Sequence, residues 1–232
     1  MKVTLLSYTK EPEKIVAAAI RQCYSSDSAL NIKNKLTEKE RAKLIKMVVG
    51  SGHTSTIEHV AFTFGIEGVS RVLTHELVRH RIASYSQQSQ RYISGKKFGF
   101  VIPPTISSKA TAKKIFDETI KDLGFKYEKL IEMGIPKEDA RFLLPNATDV
   151  KIVVTMNARA LFNFLARRMC NRAQWEIRLM AHLIHKELLK VAPNIFRYAG
   201  PTCRTENICW EGERHCGIPD KNKKIELRSH IK

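Results

Sequence analysis

No run of about 18 apolar residues occurs in this chain, so no segment reads as a bilayer-spanning helix. The opening MKVTLLSYTKEPEK has one Lys and a short apolar run, then turns charged; it lacks a long apolar stretch and a small-residue cleavage site. No secretory leader is therefore expected, no membrane partner, and a cytoplasmic location. Cysteine is sparse, with five residues. An odd number without a leader argues for reduced thiols rather than a disulfide framework. Cys203, Cys209 and Cys216, with His215 beside the last, are separated by five and six residues. That is not the paired C-x2-C spacing of a zinc ribbon, so no metal is expected and the segment reads as an ordered or frayed tail. Also missing are a G-x-x-x-x-G-K-[ST] loop, C-x-x-C, H-E-x-x-H and G-x-S-x-G. GSGHTS at 50–55 imitates a dinucleotide fingerprint, but Ser55 stands at its third glycine position and a helix, not a strand, precedes it. Any nucleotide must then be held by side chains.

Acidic residues are outnumbered: 23 against 40 Lys and Arg, a formal net charge of +17. Such a surface attracts polyanions, whether nucleic acid or small phosphorylated ligands. The 232 residues, 43% hydrophobic and 27% charged, are those of an ordinary globular protein. With no linker or repeat in view, the expectation is one domain over 1–220 and a basic tail over 221–232.

Periodicity predicts a first strand in MKVTLLSYT and a helix over EPEKIVAAAIRQCY, with Ile15, Ala19, Ile20 and Cys23 on its apolar face. A second helix, TEKERAKLIKMVVG, carries a Thr37–Glu40 capping box and stops at Gly50. HVAFTFGIE alternates as a half-buried strand, with Val60, Phe62, Phe64 and Ile66 on one side. Helical spacing resumes through Val69, Val72, Leu73 and Leu77, and RHRIASYSQQSQRY follows as a polar loop. KFGFVIPP is a short apolar segment. Residues 108–133 form a long helix with Phe116, Ile120, Leu123, Tyr127, Leu130 and Ile131 on one stripe. A short helix opens at Pro136, VKIVVTM is a strand, and NARALFNFLARRM and NRAQWEIRLMAHLIHKELLKVAP are helices. Strands and helices intermix, so the class is α/β or α+β.

Chemistry concentrates in arginines. Arg79, His80 and Arg81 stand in a row, and Arg91 follows ten residues after Arg81. Arg141 lies in DARFLLP, Arg159 at a strand-to-helix junction, and Arg168 in LARRM. The helix from Asn157 brings Asn163 near the face of Arg159, with Arg168 a turn further on. A guanidinium stays charged and matches phosphate bidentately. Ser84, Ser86, Gln87, Gln88 and Ser89 add neutral donors and acceptors. The mixture suits a phosphate joined to a heterocycle with amide-like edges. The plainer reading is internal pairing with the 23 acids. A basic RNA surface would interleave exposed aromatics with lysines, and only Tyr85 and Tyr92 qualify here.

Arg79-His80-Arg81, seven residues, then Ser89, continuing to Arg91 and Tyr92, resembles the signature of flavin-dependent thymidylate synthases. GHTSTIEHVAFTF, with His53, Ser55 and His59, resembles that family's upstream segment. DARFLLP, TMNARALFNFLARRM and AQWEI resemble its downstream blocks in the same order, so the match covers roughly 50–190. The resemblance implies a mixed central sheet flanked by helices, and a homotetramer whose active sites are shared between subunits. It implies methylation of dUMP to dTMP, with 5,10-methylenetetrahydrofolate as carbon donor and FAD, reduced by NADPH, as hydride source. Carried over by position, FAD falls to His53, Ser55, Arg79, His80, Arg81, Gln87, Asn157, Ala158, Arg159 and Asn163. The nucleotide falls to Glu76, Leu77, Val78, Arg79, Gln87, Gln88, Ser89, Gln90, Arg91, Arg141 and Arg168. Arg168 is the implied catalytic residue, its cation favouring the ring deprotonated at N3. Two positions depart from the pattern: Gln87 where Glu is common, and Glu76 where Gln is common. A basic nucleic-acid-binding protein without catalysis is the alternative that the charge leaves open.

Overall fold

A computed structural model of the chain describes residues 1–92, 99–217 and 225–228. Part of the KFGFVIPP segment and most of the expected 221–232 tail lie outside these. Four strands make the main sheet: β1 (Lys2–Tyr8), β2 (Ala61–Ser70), β3 (Ser84–Gln87) and β4 (Asp149–Asn157). Their order is β1-β2-β4-β3. The pairing is antiparallel, which corrects the expected mixed sheet. The parallel pairing sits instead in a separate ribbon near the end of the chain, where β5 (Ile208–Cys209) joins β6 (Glu226–Leu227).

The chain resolves into two compact units interleaved in sequence. One holds residues 1–2, 65–79 and 85–153; the other holds 3–64, 80–84 and 154–232. The unit boundaries fall inside β2 and β4, so no linker separates the units.

In the first unit, β2 runs on to Ser70, and only then does α4 (Arg71–Leu77) begin. Val69 is thus the end of a strand, not the start of a helix. The boundary is chemical: the Ser70 hydroxyl accepts from the Leu73 N–H and caps α4. α4 ends at Leu77, so Arg79 lies beyond it. The expected polar loop then contains β3, which is followed by an edge pairing: Gln88 N–H donates to Lys151 O at 2.9 Å. Gln88 Oε1 accepts in return from Lys151 N–H at 3.2 Å. Polar side chains hid a strand whose ladder is made by backbone and amide. Helices α5 (Pro104–Ser107), α6 (Ala110–Glu132) and α7 (Lys137–Ala140) complete this unit. Of the stripe expected on α6 only Tyr127 is buried; Phe116, Ile120, Leu123, Leu130 and Ile131 are half-covered. Gly68 has φ +65°, and a Cβ there would lie 3.3 Å from Met1 N, so the position needs glycine.

In the second unit, α1 (Pro12–Gln22), α2 (Ala29–Lys35) and α3 (Glu38–Gly50) pack together. The capping box on α3 is present in both halves, Thr37 with Glu40. α1 is rotated from the expected face: it buries Val16, Ala17 and Ile20, while Ile15 and Ala19 are half-covered and Cys23 is exposed. The partners α2 and α3 cover that face, and periodicity alone does not say where a partner stands. A 3-10 turn, Thr54–His59, leads into β2, whose Phe62 and Phe64 are buried with Val60 as expected. After β4 come α8 (Ala158–Arg168), α9 (Trp175–Val191), α10 (Pro193–Phe196) and α11 (Thr202–Thr205). The carboxylate of Glu13 takes the backbone N–H of Asn194 at 2.6 Å and its side-chain amide at 2.7 Å, tying α1 to α10. Phe62 meets Phe196 edge-on at 5.2 Å.

Candidate active site

Every residue that the resemblance assigns to the nucleotide, except Arg168, belongs to the first unit. There two of its arginines converge on one residue that sequence reasoning did not single out. The Glu138 carboxylate receives Arg91 Nε at 2.9 Å and its terminal nitrogen at 2.8 Å. The Glu138 carbonyl receives Arg141 Nε at 3.1 Å. Glu138 is three positions before Arg141, the one local clue to the pairing. Arg71 was also missed. Burial first, and then the nearby Arg141 cation, push its guanidinium below the ordinary value. Its Nε is buried with no acceptor among the described residues. Three guanidinium groups thus gather around α7 and the start of α4.

Other assigned residues in this unit serve the fold as well. Gln87 donates to Thr74 Oγ1 at 3.0 Å. Ser89 Oγ accepts from Arg91 N–H at 3.2 Å. Gln90 and Leu77 are buried, and the Leu77 carbonyl takes the Tyr85 hydroxyl at 2.9 Å. Val78 and Arg79 are exposed.

The residues assigned to flavin lie mostly in the second unit. α8 begins where Asn157 Oδ1 accepts from Ala160 N–H at 2.8 Å, a helix cap. Arg159 and Asn163, four positions apart, then share a face, as the spacing predicts. Both line a cavity of about 500 Å³. Its lining also includes Thr54, Phe162, Arg197 and Arg204. Ala158 does not fit a side-chain contact: it is fully buried, and its N–H donates to Val60 O at 2.9 Å. His53 and Ser55 are exposed beside the cavity-lining Thr54. Arg159 pairs with Glu58, and both side chains are roughly half exposed. Internal pairing therefore holds for Arg91 and Arg159, through Glu138 and Glu58.

His80 packs edge-on against Phe164 at 5.7 Å, while Arg81 is exposed. Burial first, then the Arg168 and Arg167 cations, hold the His80 imidazole below its ordinary value; a hydrogen bond with the Ala160 backbone opposes them. The neutral form is thus favoured in the folded chain. The unfolded chain takes up this proton near pH 6.5, before the folded one does. Stability should therefore fall as pH drops below about 6.5 and level off below the lowered folded value. His182, lowered chiefly by burial, acts in the same direction. Urea unfolding of a His80→Gln variant at pH 5 and pH 7.5 checks this. A smaller loss on acidification than in the parent chain is expected; an equal loss would assign the effect elsewhere.

Cys170 is two residues past Arg168, and burial above all raises its thiol. Its sulfur accepts from Arg172 N–H at 3.5 Å. A protonated, half-buried thiol is a poor nucleophile. Among the described residues, no group of three or more His, Cys, Asp or Glu side chains is placed to hold a metal ion. No helix of the described residues is long and apolar enough to cross a membrane.

Comparison with known proteins bears on the chain as a whole. A relative from Clostridium tetani, named flavin-dependent thymidylate synthase, is 46% identical over 98% of this chain and 97% of its own. Proteins of the same name from Geobacter sulfurreducens and Nitratidesulfovibrio vulgaris are 45% and 48% identical. They cover 97% and 93% of this chain, and 97% and 94% of their own lengths. None of these names supports a nucleic-acid-binding protein without catalysis. The model of the family described as thymidylate synthase complementing protein matches residues 4–194, and the chain belongs to that family.

Proposed function

We propose that this protein is a flavin-dependent thymidylate synthase, which methylates dUMP to dTMP with 5,10-methylenetetrahydrofolate as carbon donor. The observation that carries the reading is the cavity on α8, to which Arg159 and Asn163 both contribute. The near full-length relatives of that name support it. Guanidinium and amide donors around a cavity of this size suit an anionic dinucleotide with amide-like edges. FAD, when bound and reduced by NADPH, supplies the hydride.

The chain's own residues do the rest. Arg91 and Arg141, with Arg71 beside them, hold the phosphate of dUMP. An exposed ion pair is worth at most about 1 kcal/mol, so a phosphate can displace Glu138 from Arg91 at little cost. Gln87 to Gln90 and Glu76 to Arg79 frame the nucleotide. Asn157, Arg159, Asn163 and His80, with His53, Ser55, Arg79 and Arg81, serve the flavin. Asn157 keeps its amide N–H groups for this, because its oxygen is used by the helix cap. Arg168 sets its cation beside uracil N3 and favours the deprotonated ring, whose C5 becomes nucleophilic. No cysteine attack at C6 is needed, in keeping with the raised Cys170 thiol.

The assembly is a homotetramer with shared active sites, and the half-covered apolar stripe of α6 supports it, as does Phe142, 84% exposed beside Arg141. Residues 1–220 act as one domain, since the two units share strands. Five free cysteines favour a reducing location, the cytoplasm. The test is a visible spectrum of the pure protein after incubation with FAD, then tritium release from dUMP labelled at C5 with NADPH and the folate. A bound flavin band and release dependent on all three are expected. A protein that binds no flavin would end the proposal.

A further inference from the structure

Gln87 closes β3, and its amide has one accepting end and one donating end. A carboxylate at this position would accept at both oxygens, whichever way it turned; for an amide the orientation matters. Thr74, on α4, decides it. Its side chain is fully buried, and its hydroxyl donates to Arg71 O at 3.2 Å, one turn back along the helix. That uses the only proton the hydroxyl has, so towards Gln87 it can only accept. Gln87 Nε2 donates to it at 3.0 Å. With the amide reversed, the hydroxyl could serve only one of its two neighbours, and one hydrogen bond would be lost. Both anchors are stiff. Ser70 caps α4, while Arg71 N–H and Val72 N–H donate to Thr148 O and Asn146 O. Gln88, next to Gln87, is held by its two bonds with Lys151. Gln87 Oε1 meets no donor among the described residues.

We infer that Thr74 is a positioning residue for the nucleotide: it sets the Gln87 amide so that a carbonyl oxygen, not an N–H, is offered to dUMP. The inference rests on the thymidylate synthase reading above, which puts Gln87 against the nucleotide, and deepens it. An acceptor of this kind takes a donor from its ligand. With its phosphate ionised, dUMP carries two, the uracil N3–H and the 3′-hydroxyl. Arg168 favours the ring without its N3 proton, and a carbonyl oxygen facing N3 would oppose that anion. The 3′-hydroxyl of the deoxyribose is therefore the group that Gln87 Oε1 accepts.

The experiment is equilibrium binding of dUMP and of its 3′-deoxy analogue to the flavin-loaded, full-length protein and to its Thr74→Val and Thr74→Ser variants, with tritium release for turnover. Valine keeps the shape of threonine but cannot accept, so the amide is released; serine keeps the hydroxyl. A thermal melt verifies the fold. The parent chain should prefer dUMP to the analogue by about three- to tenfold, the size expected of one hydrogen bond. Thr74→Val should lose that preference and raise KM for dUMP by the same factor, with kcat nearly unchanged, since the bond holds substrate and transition state alike. Thr74→Ser should match the parent. Adding Gln87→Glu to Thr74→Val should restore the preference, because a carboxylate presents an acceptor in either orientation. A parent chain without the preference would overturn the inference whatever the variants do. So would unchanged dUMP affinity in Thr74→Val, an equal loss for both nucleotides, or a serine variant as weak as the valine one; each leaves the reading of the reaction standing. Loss of flavin with dUMP affinity retained would assign the Gln87 oxygen to the flavin and overturn it too. A parent chain that binds flavin but no dUMP would bring down the thymidylate synthase reading, and the inference with it.

Discussion

Replacing Arg168 by Ala is expected to lower thymidylate formation by about 100- to 1,000-fold, the usual cost of removing one preorganised group that stabilises developing charge. Flavin binding should survive, because Arg168 closes the last turn of α8 while Arg159 and Asn163 lie in its first turns. The side chain is only half-buried, so the variant should fold. Tritium release measures the turnover, and the visible spectrum measures the flavin. A second effect separates the electrostatic role from a packing role. Arg168 is one of the cations that hold the His80 imidazole low. Its removal should raise the His80 titration, which NMR of the ring can follow. An Arg168→Lys variant keeps a charge but not the planar fork, and should recover the His80 titration more fully than the turnover. Retained turnover in Arg168→Ala would remove the catalytic assignment. Cys170→Ser is the control, and should turn over like the parent chain.

Phe164→Ala should lower stability by about 3–5 kcal/mol, the usual range for deleting a buried aromatic. Phe164 is 1% exposed, with Leu161 and Leu165 buried on the same helix. Its ring also packs edge-to-face with His80, so the cavity left behind would open beside that imidazole. For a chain of this size each kcal/mol lowers Tm by roughly 2–4 °C, so calorimetry should find a drop of about 6–20 °C. A fall of less than about 2 °C would mean that the surrounding helices close the gap. Flavin affinity should weaken in parallel, because α8 carries both Asn163 and the wall of the cavity.

What the sequence disclosed was local. The alternation of Val60, Phe62, Phe64 and Ile66, the Thr37–Glu40 cap, and the four-residue offset from Arg159 to Asn163 each need only a short window, and each is found in the structure. The Asn157 cap is equally local, at the residue from which the sequence starts the helix. The expected mixed sheet rested on the resemblance alone, since strand direction depends on how long connections return, which periodicity does not show. The partners of the arginines were hidden for the same reason: Glu138 lies 47 positions from Arg91, and Glu58 lies 101 from Arg159. Arg71 belongs to no motif, and only the fold shows that it is half-buried. Arg197 and Arg204 lie beyond residue 190, where the resemblance ends. The β3 strand was lost because Ser and Gln satisfy a loop pattern as readily as an edge ladder.

The two hydrogen bonds from Asn194 to Glu13 join residues 181 positions apart. At roughly 5–20 residues per second of synthesis, about ten to forty seconds separate the emergence of the two partners from a ribosome. Through that interval the first helices exist without the segments that close over them, and the edge of Phe62 waits for Phe196. A nascent chain of this protein therefore keeps that apolar surface uncovered until almost all of it has been made.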